Sequence, residues 1–302
     1  MGTMQAQTKA IFKGIISMKK ILSGILLVFV LSVSSSPAHA AEKNNIQIKI
    51  DGVVISSDVE AEVRNDRTMV PLRVISENLG AKVDGSKSEI TLTKNNTQIK
   101  LKLNSNTVTK NGKSVLMDVK PYIKNNRTMV PLRFLSEMFS CQVDFRSSTV
   151  TVHSEALVIN HTKVKALQQE YHMIMGGMVQ QIEGNAYNTE IYNIFTENKG
   201  SKVEAPEHYS WMLSLDTPGS YYKEGQYDFL DAKGNSVKRY DIYTLIKSFP
   251  AGMLEEYPDV LIHDTTENQW YLFSEAAKKS INQLMDTASK NGFIKVISNT
   301  IV

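Results

Sequence analysis

Four arginines are the residues best suited to bind a charged ligand, because each recurs at the same place in a repeated motif. Residues 65–73 read NDRTMVPLR, and residues 125–133 read NNRTMVPLR. The arginines form two pairs sixty residues apart: Arg67 with Arg127, and Arg73 with Arg133. A guanidinium presents a planar fork of donors that fits a carboxylate or a phosphate. The pattern predicts two anion-binding notches, for teichoic acid, a peptide carboxylate or a glycan.

A structural role for the same arginines is the alternative. Arg73 and Glu77, like Arg133 and Glu137, are four residues apart and can form an ion pair along one helix. The other two arginines can donate to loop carbonyls. The sequence alone leaves both roles open.

Aromatic residues are dense in the second half of the chain and could stack on a sugar or a peptide. They are Tyr209, Trp211, Tyr221, Tyr222, Tyr227, Tyr240, Tyr243, Trp270 and Tyr271. Trp211, Tyr222 and Trp270 are the predicted ligand contacts of such a groove. The alternative is that the rings form the core of a sheet.

No catalytic or metal site is predicted. The chain lacks a G-x-S-x-G elbow, an H-E-x-x-H pair and a nucleotide-binding glycine loop. Histidines beyond residue 40 are scattered singly, without zinc or copper spacing, so no cofactor is expected: they are His153, His161, His172, His208 and His263. The single cysteine, Cys141, fits a buried small side chain, or alternatively an intermolecular disulfide.

The sixty-residue offset extends beyond the arginines and indicates one structural unit used twice. Asp51-Gly52 corresponds to Asn111-Gly112, and both dipeptides favour a two-residue hairpin turn. In the first copy Pro71 suits a helix start and Gly80 suits a helix end. We therefore expect an α+β fold, with short β-hairpins and one helix in each copy. Each copy is near the size at which a core is marginal, so the pair should share one core.

The RTMVPLR motif, followed by a helix, a Val-Asp pair and a short strand, resembles the copper amine oxidase N-terminal-like (stalk) domain. The resemblance covers roughly residues 45–153. It implies a surface or spacer module that stands apart from any catalytic core and is joined, in exported bacterial proteins, to varied partner domains. Copper amine oxidase activity is not expected. That chemistry needs three imidazoles and a tyrosine set in Asn-Tyr-Asp/Glu, and no tyrosine here follows an asparagine.

The N-terminus has the features of a secretory signal peptide. Met18-Lys19-Lys20 is basic, residues 21–31 are apolar, and Ala38-His39-Ala40 is an A-x-A site. We expect cleavage after Ala40, with residues 1–17 as an upstream leader. An uncleaved anchor is the alternative. The protein should be secreted or cell-surface associated, with no membrane span after cleavage.

Charge argues against nucleic acid as a partner. Without the first forty residues the chain has 30 basic and 31 acidic side chains and no long basic run. A nucleic-acid-binding surface needs a positive patch that this composition does not supply.

Residues 155–302 are predicted to be a separate α+β domain with an antiparallel sheet, after a repeat region at 41–154. The spacing of Val164, Leu167, Tyr171, Ile174 and Met178 predicts a helix, and residues 187–196 and 209–215 are predicted strands. Two hairpins are expected, 226–231 with 237–245, and 259–264 with 269–273. A helix should run from Ser274 to Gly292, followed by a strand over 293–302.

Together these features predict an exported, cell-envelope-associated structural or ligand-binding protein with a non-catalytic stalk scaffold. Its partner would be a cell-wall polymer or another envelope protein. The alternative is a secreted hydrolase or wall-processing enzyme with its activity in residues 155–302. A concave pocket with a nucleophile–base pair or convergent carboxylates would favour the enzyme, and a flat or grooved aromatic surface without such a pair would favour binding.

Overall fold

The computed structural model describes residues 46–301, except 86, 87 and 95. The predicted signal peptide lies outside these residues. Strands up to residue 116 are β1 (Gln47–Ile50), β2 (Val53–Val54), β3 (Glu62–Arg64), β4 (Arg67–Pro71), β5 (Lys82–Gly85), β6 (Glu89–Lys94), β7 (Thr97–Lys102), β8 (Thr107–Lys110) and β9 (Lys113–Leu116). The next are β10 (Tyr122–Lys124), β11 (Arg127–Pro131), β12 (Gln142–Arg146), β13 (Thr149–His153), β14 (Val158–Ile159) and β15 (Thr162–Lys163).

The remaining strands are β16 (Ala166–Met173), β17 (Gly176–Ile182), β18 (Lys202–Val203), β19 (Tyr209–Ser210), β20 (Tyr221–Leu230), β21 (Ser236–Leu245), β22 (Val260–Asp264), β23 (Gln269–Leu272) and β24 (Ile294–Asn299). The four α-helices of the described residues are α1 (Leu72–Asn78), α2 (Leu132–Met138), α3 (Asn185–Glu197) and α4 (Glu275–Lys290). A short 3₁₀ helix covers Ala251–Met253. The protein is thus mostly β-sheet, largely antiparallel, with a few helices.

The two RTMVPLR motifs form the same local structure. Each contributes a strand that ends at a proline, where a seven-residue helix begins. After α1 the chain turns at Gly80, whose φ of +81° is a backbone conformation that glycine adopts without strain. The predicted hairpin turns at Asp51-Gly52 and Asn111-Gly112 are present, since all four residues have positive φ.

The two motif strands pair with each other at the centre of a four-stranded sheet of order β10-β11-β4-β3. Val70 of β4 lies opposite Val130 of β11, its counterpart sixty residues away. The pairing is antiparallel, so the sheet has an approximate two-fold axis at these two valines. A small buried cluster with the same symmetry packs nearby: Val59, Met69, Val119 and Met129.

We call the two copies of the repeat, residues 46–94 and 106–154, the two motif segments. Their strands also mix in a second sheet, of order β12-β13-β1-β2. In it β1 pairs in parallel with β13, and Ile48 and Ile50 lie opposite Val150 and Val152. All four side chains are buried. A five-stranded sheet of order β5-β6-β7-β8-β9 holds the other ends of the segments, joined by β7. The first strand of the region therefore folds against its last strand.

A nine-stranded sheet forms the C-terminal part, in the order β18-β23-β22-β21-β20-β16-β17-β24 with β19 beside β20. Helices α3 and α4 contact each other. Their buried side chains belong to the cluster that fills the core below the sheet: Tyr187, Ile191, Phe195, Ala277, Ile281 and Met285. The same cluster continues into the motif segments, and the described residues lie in one compact unit. The predicted domain boundary after residue 154 stays a prediction.

Three predicted elements of the C-terminal part were wrong. The predicted helix at 164–178 is the hairpin of β16 and β17. Cross-strand hydrogen bonds between glutamines stabilise it, such as the 2.6 Å bond from Gln180 Nε2 to Gln169 Oε1. The predicted strand at 187–196 is α3, which buries Tyr187, Ile191 and Phe195 at four-residue spacing. The predicted strand at 209–215 shortens to β19, and the rest of it is exposed loop.

The other predicted elements are confirmed. Strands β20 and β21 form the first expected hairpin, and β22 and β23 form the second. Ser274 caps α4 by accepting a 3.0 Å hydrogen bond from Ala277 N. Over the described part of the chain, no helix is long and apolar enough to cross a membrane.

Candidate functional site

Two surface clefts flank the two-fold axis of the motif segments. Every lining residue of one cleft has its counterpart sixty residues away in the other. We call the cleft that contains Arg73 and Arg127 the first cleft, and the one that contains Arg67 and Arg133 the second cleft. Each therefore holds one arginine from each motif. The volumes are about 280 Å³ for the first cleft and 400 Å³ for the second.

Arg67 and Arg127 connect the two motif segments by reciprocal ion pairs. Arg127 donates from Nη2 to Asp58 at 2.7 Å and from Nε at 3.3 Å. Arg67 donates to Asp118, the counterpart of Asp58. The hydrogen bond from Arg127 lowers the pKa of Asp58. The predicted contact with a loop carbonyl is found for Arg67, which donates to the Asp66 carbonyl at 3.1 Å.

The remaining two arginines differ from each other. Arg73 Nη1 donates to Glu77 Oε1 at 3.1 Å, as predicted, and to the Val83 carbonyl at 2.9 Å. The matching prediction for Arg133 and Glu137 was wrong. Arg133 is exposed and has no hydrogen bond or ion pair with any residue that the structure describes. Its cleft also has Phe145 at the position where the first cleft has Gly85.

Of the predicted aromatic ligand residues, Trp270 is buried in a small apolar cluster of the nine-stranded sheet. It is 5% exposed and packs with Tyr209 and Tyr243, at ring-centroid distances of 4.9 and 4.8 Å. The His263 ring stacks on it at 4.6 Å. The indole face is covered by protein on these sides.

Trp211 is partly exposed and, like Tyr222, contacts His172, so two of the predicted residues meet at the same histidine. The indole stacks on His172 at 4.3 Å. Tyr222 holds β16, the strand of His172, because its hydroxyl donates to the His172 carbonyl at 2.5 Å. His172 Nε2 in turn lies 2.8 Å from Glu170 Oε1.

Under Trp211 lies a buried group of charges. Lys223 Nζ lies 4.5 Å from the centroid of the Trp211 ring and 2.6 Å from Asp241 Oδ2. Arg239 donates to both oxygens of Asp241 at 2.9 and 3.0 Å. Burial lowers the pKa of Lys223, and the hydrogen bond to Asp241 opposes that shift. The three charged groups satisfy one another, and Trp211 excludes water from the lysine.

An exposed apolar surface lies next to this tryptophan and was not predicted from the sequence. It comprises the tip of the β16–β17 hairpin and the loop after Trp211, which the His172–Trp211 stack joins. We call it the apolar tip surface, with these exposed fractions: Met173 57%, Ile174 94%, Met175 65%, Met212 76%, Leu213 53% and Leu215 59%. The sequence signal for this surface is the apolar run Met173-Ile174-Met175, which lies within the helix predicted from the sequence for 164–178.

Cysteine and metal-binding residues form no site in the described part of the chain. Cys141 is buried as predicted, and burial raises the pKa of its thiol to about 11. A thiol with such a pKa is protonated and unreactive at neutral pH. Among the described residues, no three histidine, cysteine or acidic side chains cluster to hold a metal ion.

Comparison with known families bears on the motif segments. Residues 47–154 match the family model of the copper amine oxidase N-terminal domain. A single match spans both RTMVPLR motifs. Searches of curated proteins and of solved structures found nothing that matches the chain. The family match agrees with the stalk resemblance of the motif segments.

Proposed function

We propose that this chain is an exported, cell-envelope-associated protein that binds another envelope protein through the apolar tip surface. That surface is the observation that carries the proposal. Six large apolar side chains exposed by half or more, on two segments joined by the His172–Trp211 stack, are costly to leave in water and mark an interaction site. Three of the six are methionines, which adapt their shape to a partner.

A protein partner fits this surface better than a cell-wall polymer does. Sugars are recognised by flat aromatic rings with hydrogen-bonding groups beside them, and the one tryptophan here is already stacked on His172. The tip residues are aliphatic or thioether side chains, which bury well against another apolar protein surface.

The motif segments would act as a rigid, non-catalytic scaffold. In this proposal residues 1–40 are the leader and signal peptide, 41–154 are two copies of the stalk unit, and 155–302 are the binding domain. The reciprocal ion pairs and the shared sheets between the two copies support a single stiff body.

Cell fractionation tests the proposal. Wild-type protein should begin at Ala41 by N-terminal sequencing and should co-purify with one envelope protein. The double variant Ile174→Ser, Leu213→Ser should be exported equally but lose that protein. Val54→Ser, at an apolar position in the motif segments that is 47% exposed, serves as the control. Retention in the cytoplasm, or an unchanged partner in the double variant, would refute the proposal.

A hydrolase is the second candidate, and the Glu170–His172 contact is its best support. A carboxylate that orients an imidazole is a component of general-base catalysis. His172→Gln would then abolish wall-degrading activity of the purified protein without unfolding it. Absence of such activity in the wild type counts against this alternative.

A further inference from the structure

We propose that the second cleft binds the free carboxylate end of an apolar peptide, with Arg133 as the carboxylate-binding residue. This goes beyond the proposed function, which concerns the C-terminal apolar tip surface. The two clefts of the motif segments provide the comparison on which the inference rests, because they are built from corresponding residues.

In the first cleft the chain satisfies its own groups. Arg73 donates to the carbonyl of Val83 at 2.9 Å and to Glu77 at 3.1 Å. The edge strand β5 thus has a carbonyl occupied by the arginine of its own segment. The first cleft offers neither a free guanidinium from its own helix nor a free acceptor at that position.

In the second cleft both of these groups are free. Arg133 has no partner among the described residues. The carbonyl of Val143, the counterpart of Val83, accepts no hydrogen bond from a described side chain and faces away from β13 on the edge strand β12. The terminal residue of a peptide carries the two complementary groups, an N–H donor and a carboxylate acceptor. One bound residue could donate to Val143 and accept from Arg133 in the way that Arg73 and Val83 satisfy each other.

Apolar side chains form the walls of the same cleft. Phe145 is 61% exposed and Val63 is 63% exposed, on two different strands that line the cleft. Leu132 and Val150 are buried and form part of its lining. An exposed phenylalanine where the first cleft has Gly85 gives an apolar terminal side chain a ring on which to pack.

Both wall strands are sheet edges, which suits an extended peptide. Strand β3 ends one four-stranded sheet and β12 ends the other. In β12, Arg146 opposite Thr149 closes a two-residue turn, so the N–H and C=O groups of Val143 and Phe145 point to the open side. Peptides commonly bind by adding a strand to such an edge.

Charge limits the ligand to one or few negative groups. Arg67 is neutralised by Asp118, and Asp66 also lines the cleft. Of the two arginines that line the cleft, Arg133 is the one without an acidic partner among the described residues. A polyanion such as a phosphate polymer would meet Asp66 as well as Arg133, whereas a single carboxylate on an apolar body would not.

The test titrates the purified full chain with N-acetyl-L-phenylalanine, and separately with its carboxamide and with inorganic phosphate. For so small a probe we expect a Kd on the order of 1 mM. Arg133→Ala should weaken binding by about tenfold or more, because a charge-assisted hydrogen bond is lost. Phe145→Ala should also weaken it. Arg73→Ala, the matched control, should leave the Kd unchanged and lower the melting temperature.

The proposal is overturned if the acetylated amino acid does not bind at 20-fold the expected Kd (about 20 mM). It is also overturned if the carboxamide binds equally well, if phosphate competes at equal concentration, or if Arg73→Ala weakens binding as much as Arg133→Ala. None of these outcomes involves the apolar tip surface, so they leave the proposed function to its own test.

Discussion

Asp264 shows how individual charged residues stabilise the C-terminal sheet. Its side chain is fully buried and lies 2.7 Å from both Lys199 Nζ and Lys238 Nζ. Burial alone would raise the pKa of Asp264, but hydrogen bonds from the two lysines outweigh burial and lower it. The carboxylate is therefore a structural group, held charged by its neighbours.

Asp264→Asn should lower the free energy of unfolding by about 3 kcal/mol, since two largely buried lysines lose their shared counter-charge. The wild-type advantage should be full above the ordinary pKa of 3.8 and fade as the pH falls through the lowered pKa of the folded state. Urea unfolding at several pH values measures both effects. Asp259→Asn, which breaks an exposed pair with Lys247, should cost less than about 1 kcal/mol. Equal losses in the two variants would contradict this role.

Arginines of the repeated motif mark the limit of sequence reasoning at the residue scale. The Arg73–Glu77 pair was predictable from helical spacing, although the same spacing does not pair Arg133 with Glu137. The partners of Arg67 and Arg127 are 51 and 69 residues away, in the other motif segment, and local spacing carries no such information. The sequence also could not predict that Arg133 lacks a partner among the described residues, because its motif is the same as that of Arg73.

At the scale of elements, helix α3 is positioned by a residue of the first hairpin turn. Asp51 Oδ2 accepts hydrogen bonds from the Asn185 backbone N–H at 3.0 Å and from Ser154 Oγ at 2.6 Å. Asn185 begins α3, where backbone N–H groups lack partners within the helix. The turn of the motif segment thus caps a helix of the C-terminal part.

Asp51→Gly should lower the free energy of unfolding by about 2 kcal/mol, because charged hydrogen bonds to Asn185 and Ser154 are lost. Glycine keeps the positive φ of this position, so backbone strain is not introduced. Asn111→Gly is the matched control at the counterpart position. There the side chain accepts an exposed hydrogen bond from Gln98 N at 2.7 Å, and no second one from a described residue. Thermal unfolding of both variants measures the two losses of stability. An equal loss in Asn111→Gly would argue against a stabilising contact between Asp51 and α3.

Elements with local signals were predictable, and elements decided by distant packing were not. Strands β20 and β21 meet at a turn rich in turn-forming residues, and Ser274 is a strong N-cap. By contrast, β16 has apolar residues at helical spacing, but glutamine pairing with β17 and the hydroxyl of Tyr227 decide for a strand. Tertiary contacts override weak periodicity in such short segments.

For the whole molecule, the order of strands makes the two motif segments interdependent. Strand β1 pairs with β13, and β4 pairs with β11. A chain that ends at residue 95 contains neither partner strand. The expectation of a core shared by the pair agrees with one buried cluster that includes residues of both segments.

Residues 41–154 expressed alone should unfold in a cooperative transition, and residues 41–95 should not. The shorter piece exposes the pairing edges of β1 and β4 and the apolar side chains beneath them. Differential scanning calorimetry checks this. A cooperative transition of the 41–95 piece, with an enthalpy in proportion to its size, would show that one segment folds unaided.

The central claim is that the protein acts in the cell envelope by binding another protein through the apolar tip surface. Photo-crosslinking in living cells tests it most directly, with a photoreactive amino acid at position 174. The same amino acid at Lys233, in the exposed turn between β20 and β21, is the control. The account predicts one discrete protein adduct from position 174 and none from position 233. No adduct at 174, or the same adducts from both positions, would contradict it.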